Sequence, residues 1–445
     1  MRIARLLGTV LGTTLLTTTA VLTAPAHAGP AAPPAGPVDG TSLDRTALRD
    51  SLEAIHEAGM YGVFSSVRDG GRRWTGASGV ADVETGRPVT PGMRHRVGSI
   101  SKTFTSVALL QQVERGRLRL DAPVGDYLPD LIPGERGRQI TVRMLLNHTS
   151  HIGDYIVGAF PSLAKGSTAS LDEERFRSVR PGELVRLGLA APATGRPGEL
   201  PGSYSNTNYV IAGLLLEKIT GQDAEKHITR NVIDRAGLRH TSFPRTPYIK
   251  GPHPRMYESW YGLIDPPRDY SVYDMSWAYT AGAVVSTTDD LNRFYRALLG
   301  GKLIGKAALD EMTRTVPVSG FDYGLGIYAQ ELPCGRFWGH DGAVFGAGMT
   351  ALSSRDGKRQ VALAQNLMKY QSLDENGRPK AHAIDYALYT YVVRALCPAG
   401  SGTAAGSAPE AGPASPDARG EFGKRLPGID HSQLTSGLKF GQLPH

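Results

Sequence analysis

The sequence predicts an α/β fold of the α+β kind: one antiparallel sheet built from both chain ends with flanking helices, plus a large, mainly helical insertion. Three observations predict it. Hairpin patterns stand near both ends of the central body, the residues between them read as helical or irregular, and an amphipathic helix opens and closes that body.

The opening helix carries Leu48, Leu52 and Ile55 at helical spacing, with Gly59 as its stop. Met60 to Val67 and Arg72 to Ala77 flank Asp69-Gly70-Gly71, a turn that suits a hairpin. Near the other end, Met349 to Ser354 and Gln360 to Asn366 flank Asp356-Gly357 with the same logic. A last helix from about Ala381 to Leu396 places Ile384, Leu388, Val392 and Leu396 on one face. The insertion spans roughly Asp121 to Thr280, and a cleft is expected where it meets the sheet.

At the N-terminus, Arg2 and Arg5 precede an apolar, Thr-rich run from Leu6 to Leu22, and Ala26-His27-Ala28 offers a small-x-small cleavage site. Gly8 and Gly12 interrupt the run, which is short for a bilayer span of roughly 20 apolar residues. Residues 1–28 are therefore expected to be a signal peptide cut after Ala28, and the protein to be secreted, with no stable membrane insertion. Residues 29–41 and 398–445 are rich in Pro, Ala and Gly or lack apolar periodicity and read as flexible, which leaves 42–397 as the folded body. Cys334 and Cys397 are an even pair in an oxidising setting and predict one disulfide. The net charge of +7 is spread without Lys/Arg blocks, which argues against a nucleic-acid partner, and the chain is expected to be a monomer.

Val97-Gly98-Ser99-Ile100-Ser101-Lys102 leads into Phe104, Val107, Leu110 and Val113, a stripe that ends at Gly116. Ser99 thus opens a buried helix, and Lys102 follows one turn on. A serine hydroxyl is a weak nucleophile until a base accepts its proton, and a lysine serves if burial depresses its pKa. Ser-x-x-Lys recurs at Ser162 to Lys165 and at Ser436 to Lys439, and neither opens an apolar helix. Tyr204-Ser205-Asn206 stands in the loop entering a helix that contains Val210, Leu214 and Ile219; Asn206 alone reads as an N-cap. Gly339-His340-Asp341-Gly342 follows a short strand, Arg336 to Trp338. No spacing suggests a metal site or another cofactor: His56-Glu57 begins like a zinc-protease helix but lacks the second His. There is no Gly-x-Ser-x-Gly elbow.

Ser-x-x-Lys, Tyr-x-Asn and His-x-Gly in that order resemble the serine peptidases that include secreted D-alanyl-D-alanine carboxypeptidases, class C β-lactamases, D-aminopeptidases and related esterases. The resemblance also takes in Leu145 to Ser150, Ser276-Trp277-Ala278, Tyr323 to Gly326 and both cysteine positions. It implies a β-lactamase/transpeptidase-like fold and a small peptide, ester or β-lactam substrate, peptidoglycan included. Ser99 would be acylated, Lys102 would take its proton, and Tyr204 would serve as base and then as acid toward the leaving amine. Asn206 would bind the acyl-side amide, His340 would face the cleft, and the backbone N–H groups of Ser99 and Ala343 would form the oxyanion hole. Trp277 and Phe160 match cleft-lining aromatics; each also suits a core position. His148 reads as a structural histidine. In the carboxypeptidases an arginine and threonines clamp the peptide's C-terminal carboxylate; here Tyr328, Asp341 and Ala343 stand at those positions. The first reading is therefore a D-stereospecific peptidase of the carboxypeptidase type, with an esterase, a β-lactamase or a non-turnover penicillin-binding protein as alternatives.

Overall fold

The computed structural model describes residues 43–397; the expected signal peptide, linker and C-terminal tail lie outside the described residues. Strands β1 (Gly62–Asp69), β2 (Arg72–Asp82) and β3 (Arg87–Pro88) come first, followed by β4 (His95–Arg96). Within the insertion run β5 (Tyr257–Glu258) and β6 (Arg268–Asp269), and then β7 (Val285–Ser286). The C-terminal part supplies β8 (Val316–Val318), β9 (Phe321–Tyr323), β10 (Tyr328–Leu332), β11 (Gly335–Val344), β12 (Ala347–Ser354), β13 (Arg359–Gln365) and β14 (Leu367–Met368). Nine of these form one sheet in the order β3-β2-β1-β13-β12-β11-β10-β9-β8. The N-terminal hairpin joins the C-terminal meander through β1 and β13, which pair antiparallel from Val63↔Gln365 to Asp69↔Arg359.

Alternation along the strands decides which layer each residue enters. Val63 and Val67 pack with Leu48, Leu52, Leu388 and Val392 of the first and last helices, Arg45–Glu57 and Ala383–Leu396. Phe64, between them, joins Phe104, Phe294, Ala351 and Ala364 on the opposite face. The result is a sheet covered on both sides, with the insertion on the second face.

The helix after Ser99, Ser101–Glu114, is buried from Ser101 through Gln112 on every side, as expected of a helix in the middle of a core rather than at a surface. Two of its threonines bond inside the core: Thr103 donates to Gly326 O at 2.6 Å and Thr105 to Thr280 O at 2.9 Å.

Three elements differ from the sequence expectation, and the first is β2, which runs past Ala77 to Asp82. β11 does not stop at Trp338 but runs through the whole His-x-Gly motif to Val344, pairing with β12 at every residue from Phe337 onward. Its glycines mask the strand, yet they are what the sheet requires: a Cβ on Gly339 would stand 1.9 Å from Ala351 O. Asn206 is the first residue of its helix, Asn206–Thr220, and Ser205 occupies the N-cap position.

Cys334, in the turn between β10 and β11, is bonded to Cys397 at the end of the last helix. The bond closes a loop of sequence separation 63. Replacing both cysteines by serine is expected to lower the denaturant midpoint by the equivalent of about 2–4 kcal/mol, since the open chain regains loop entropy. An unchanged midpoint with the same slope would show that the packing of the last helix suffices without the bond.

Candidate active site

Ser99 lies in a single turn of 3-10 helix, Gly98–Ile100, that feeds directly into Ser101–Glu114. It is partly exposed, whereas its neighbours Gly98 and Ile100 are buried. Lys102, fully buried, reaches back along the same helix face, and its Nζ lies 2.9 Å from Ser99 Oγ. The same amine donates to Asn206 Oδ1 at 2.8 Å and to Ala281 O at 3.0 Å. Ala281 belongs to the short helix Tyr279–Gly282, whose terminal carbonyls have no partner in the next turn.

The three contacts accommodate both the ammonium and the neutral amine. Asn206 Oδ1 and Ala281 O only accept, so a neutral amine gives them its two hydrogens and turns its lone pair to Ser99, whereas the ammonium donates its third hydrogen to Ser99 Oγ. Burial pushes the Lys102 pKa down to about 7, against the opposing pull of Asp154 and Asp341.

Asp154 went unnoticed in the sequence because it sits in an irregular stretch with no period to expose it. Its Oδ2 accepts both the backbone N–H and the Nδ2–H of Asn206 at 2.8 Å. With Nδ2 held there, the Asn206 amide has one orientation, the one that turns Oδ1 to Lys102. Ala281 was missed for a different reason: a backbone carbonyl leaves no side-chain signal.

Tyr204 arrives on a loop pinned to β8, where Gly202 N–H donates to Pro317 O at 2.8 Å and Tyr204 N–H to Ser319 Oγ at 3.1 Å. Its ring lies 4.9 Å below Lys102 Nζ and 4.1 Å from the ring of His148. The hydroxyl is buried and lies toward Ser99 without a well-formed hydrogen bond; burial holds its pKa well above the ordinary tyrosine value. His148 is fixed in place at Nδ1, which accepts from Ser205 N–H at 3.3 Å and from Asn208 Nδ2 at 3.1 Å. Burial and Lys102 keep it neutral.

His340 is 1 % exposed and braced between the Tyr323 hydroxyl, 2.8 Å from Nε2, and the Asp341 carbonyl at Nδ1. Burial and the nearby Lys102 push its pKa down to about 3, so it faces the site as a neutral hydrogen-bonding group. Tyr328 is fully buried, its ring 5.5 Å from that of His340 and its hydroxyl turned toward Asp341. Asp341 retains a 14 % exposed side chain. Phe160 and Trp277 are both buried and meet edge to face at 5.4 Å. Both also touch the Phe345 ring, at 5.2 and 5.1 Å, which places them in an aromatic cluster beside the end of β11. Ser162, the competing serine, donates to Ser167 O at 2.7 Å in a separate short helix, and Ser436 lies outside the described residues.

The two expected oxyanion donors are brought together by a close approach of two backbones. A Cβ on Gly98 would stand 2.6 Å from Ala343 N, and one on Gly342 would stand 2.7 Å from Ser99 N and 1.9 Å from Val97 O. Only glycine on each side lets β11 lie against the Ser99 turn. Among the described residues no group of three His, Cys, Asp or Glu side chains is arranged to hold a metal ion. Gly342→Ala is expected to push the strand away from Ser99 and to lower kcat by about 100-fold while circular dichroism stays native, because misplacement by about 1 Å costs that much. A variant within threefold of wild type would show that the Ala343 amide is not needed.

Comparison with known proteins agrees with this geometry. Residues 47–384 match the family model described as Beta-lactamase. The chain is 27% identical over 323 residues to the putative penicillin-binding protein PbpX of Bacillus subtilis (strain 168), covering 72% of this chain and 74% of that protein. It is 30% identical over 213 residues to the esterase EstB of Burkholderia gladioli, covering 45% of this chain and 53% of that protein. Among solved structures, a D-stereospecific amidohydrolase from Streptomyces sp. superimposes with a TM-score of 0.67 at 38% identity, covering 73% of this chain and 95% of the other. With a match across most of its described length, a nine-stranded sheet, and a buried lysine one turn from a partly exposed serine, the chain belongs to the beta-lactamase family of serine hydrolases.

Proposed function

We propose that this chain is a secreted D-stereospecific amidase or peptidase that carries the acyl group of its substrate on Ser99. The observation that supports it most is the buried Lys102 amine 2.9 Å from Ser99 Oγ, which in its neutral form gives both hydrogens to fixed acceptors and turns to Ser99 the lone pair a base requires. In this reading Ser99 Oγ attacks the scissile carbonyl as its proton passes to Lys102. Negative charge develops on the carbonyl oxygen against the Ser99 and Ala343 N–H groups. Tyr204, held protonated by burial, hands its proton to the leaving amine and regains one from Lys102, so it acts here as an acid rather than as the first base. Water then repeats the sequence on the acyl-enzyme, and the acid product leaves.

The leaving side supports an amidase over a strict D-alanyl-D-alanine carboxypeptidase. Tyr328 is buried and Asp341 is acidic where a carboxylate clamp would need cations. Arg336 is committed to Asp322 at 2.8 Å and Glu331 at 3.3 Å, and Lys358 to Asp356 at 3.4 Å. The likeness to the D-stereospecific amidohydrolase from Streptomyces sp., at 38% identity, supports the same choice.

Activity is expected to rise with pH. Lys102, with its pKa lowered to about 7, carries a proton below that pH and is a competent base above it, so kcat/KM should climb tenfold per pH unit up to about 7 and then level. Asp154→Asn removes one of the carboxylates that pull this pKa upward and should move the limb to lower pH. A limb near 10, where an ordinary lysine titrates, would remove Lys102 from the role.

A matched series of an acyl-D-Ala-D-Ala peptide, its C-terminal amide and its methyl ester is expected to give kcat/KM for the amide and ester at least equal to that for the free acid. Asp341→Asn should raise the free acid about tenfold relative to the amide, since an ionised carboxylate within about 4 Å repels another by up to about 4 kcal/mol at an effective dielectric near 20. Mass spectrometry should find the acyl adduct on Ser99 and none in Ser99→Ala. A tenfold preference for the free acid, or an adduct on Ser162, would overturn the proposal.

A further inference from the structure

β11 and β12 are joined by the two-residue turn Phe345-Gly346, immediately beyond the pair Val344↔Ala347. Gly346 has φ +72°, and a Cβ there would stand 2.2 Å from Met256 O, so the turn is pressed onto the backbone that leads into β5. Its N–H donates to Glu258 Oε2 at 3.0 Å. The other oxygen, Oε1, accepts Trp260 N–H at 3.0 Å. Lys369 Nζ donates to Glu258 Oε2 at 3.2 Å, lies 3.7 Å over the Trp260 ring and 5.7 Å from the Phe345 ring. Both charged groups are shut away from solvent, at 0 % and 1 % exposure.

A wholly buried ion pair is a poor source of stability, because desolvating two charges offsets their attraction and apolar groups of the same volume often do as well. Around this pair the backbone is also strained: Trp260, Tyr261 and Lys369 all have positive φ, at 46°, 60° and 49°. Such strain persists where the surroundings over-determine it, and it gathers at sites where position matters. Neither side chain contacts Ser99 or Lys102. What they grip is the amide three residues beyond Ala343 and the ring of Phe345, which in turn touches Phe160 and Trp277.

We infer that Glu258 and Lys369 are positioning residues that hold the Phe345-Gly346 turn and thereby set the Ala343 amide against Ser99. Glu258 supplies two acceptors at fixed places, one for each side of the junction, and Lys369 neutralises it while anchoring the aromatic cluster. The inference rests on the reading of Ser99 as the acylated residue.

The test compares wild type with Lys369→Met and with the neutral pair Glu258→Gln/Lys369→Met, using D-phenylalanine p-nitroanilide, well below every unfolding midpoint. Active sites are counted with a fluorophosphonate, so that unfolded molecules drop out of the rate. Lys369→Met leaves a lone buried charge and should lose stability. The double variant removes that burden but keeps only one carbonyl acceptor for the Trp260 and Gly346 amides. Its midpoint is expected to return toward wild type while kcat stays at least tenfold down and KM moves by less than twofold. A kcat within threefold of wild type would overturn the inference, leaving the pair a packing feature. If Lys369→Met does not fold, the double variant alone decides. If wild type itself leaves Ser99 unlabelled, the acyl-enzyme reading fails and the inference falls with it; labelling of wild type with an unimpaired double variant sinks only the inference.

Discussion

A lysine amine is held in a buried site between two fixed acceptors and the Ser99 hydroxyl, and the rest of the molecule is arranged around that condition. Lys102 is buried because its helix runs through the middle of the core, and the helix is buried because the sheet and the insertion close on it from opposite sides. Its two fixed acceptors come from distant segments, the Asn206 helix and the Tyr279–Gly282 turn. Asp154 then prevents the Asn206 amide from turning over and presenting hydrogens where an acceptor is needed. Remove water, fix the acceptors, and the proton becomes the mobile part of the site.

The neighbours are kept electrically quiet by the same burial. His148 and His340 sit within the field of Lys102, and each is pushed to its neutral form, so neither competes for the serine's proton. Tyr204 and Tyr323 are pushed the other way and stay protonated. Desolvation thus sorts the titratable groups by type: the cationic ones lose protons and the phenols keep theirs. In the proposed reaction this leaves one base, Lys102, and one nearby acid, Tyr204, among a crowded set of aromatic and basic residues.

Much of the fold was legible because its signals are periodic. The first and last helices, both hairpins and the buried helix after Ser99 follow from spacing and glycine stops, and the antiparallel sheet drawn from both ends follows from their order. Ser99, Lys102, Tyr204 and Asn206 were legible as ordered motifs, and the structure brings Lys102 to Ser99 and Asn206 and under the Tyr204 ring. β11 was read too short because glycine has no strand signature, although Gly339 and Gly342 are there to let backbones touch. Asp154 and the Ala281 carbonyl were invisible for want of periodicity or of any side-chain mark. Glu258 and Lys369 lie 111 residues apart, and nothing local in the sequence pairs them.

The joining of β1 to β13 carries a consequence for how the protein comes into being. Ser99 and Lys102 are made early in the chain, but the Ala343 amide and the strand that presses it against Ser99 are made some 240 residues later, and the sheet closes only when β13 reaches β1. Contacts of such long sequence separation form late and slowly, because the intervening loop entropy must be surrendered first. A chain short of its last strands therefore lacks both the sheet that buries the Lys102 helix and the strand that meets the Ser99 turn. The geometry of the Ser99 turn is thus completed last, and the topology ties it to closure of the whole sheet.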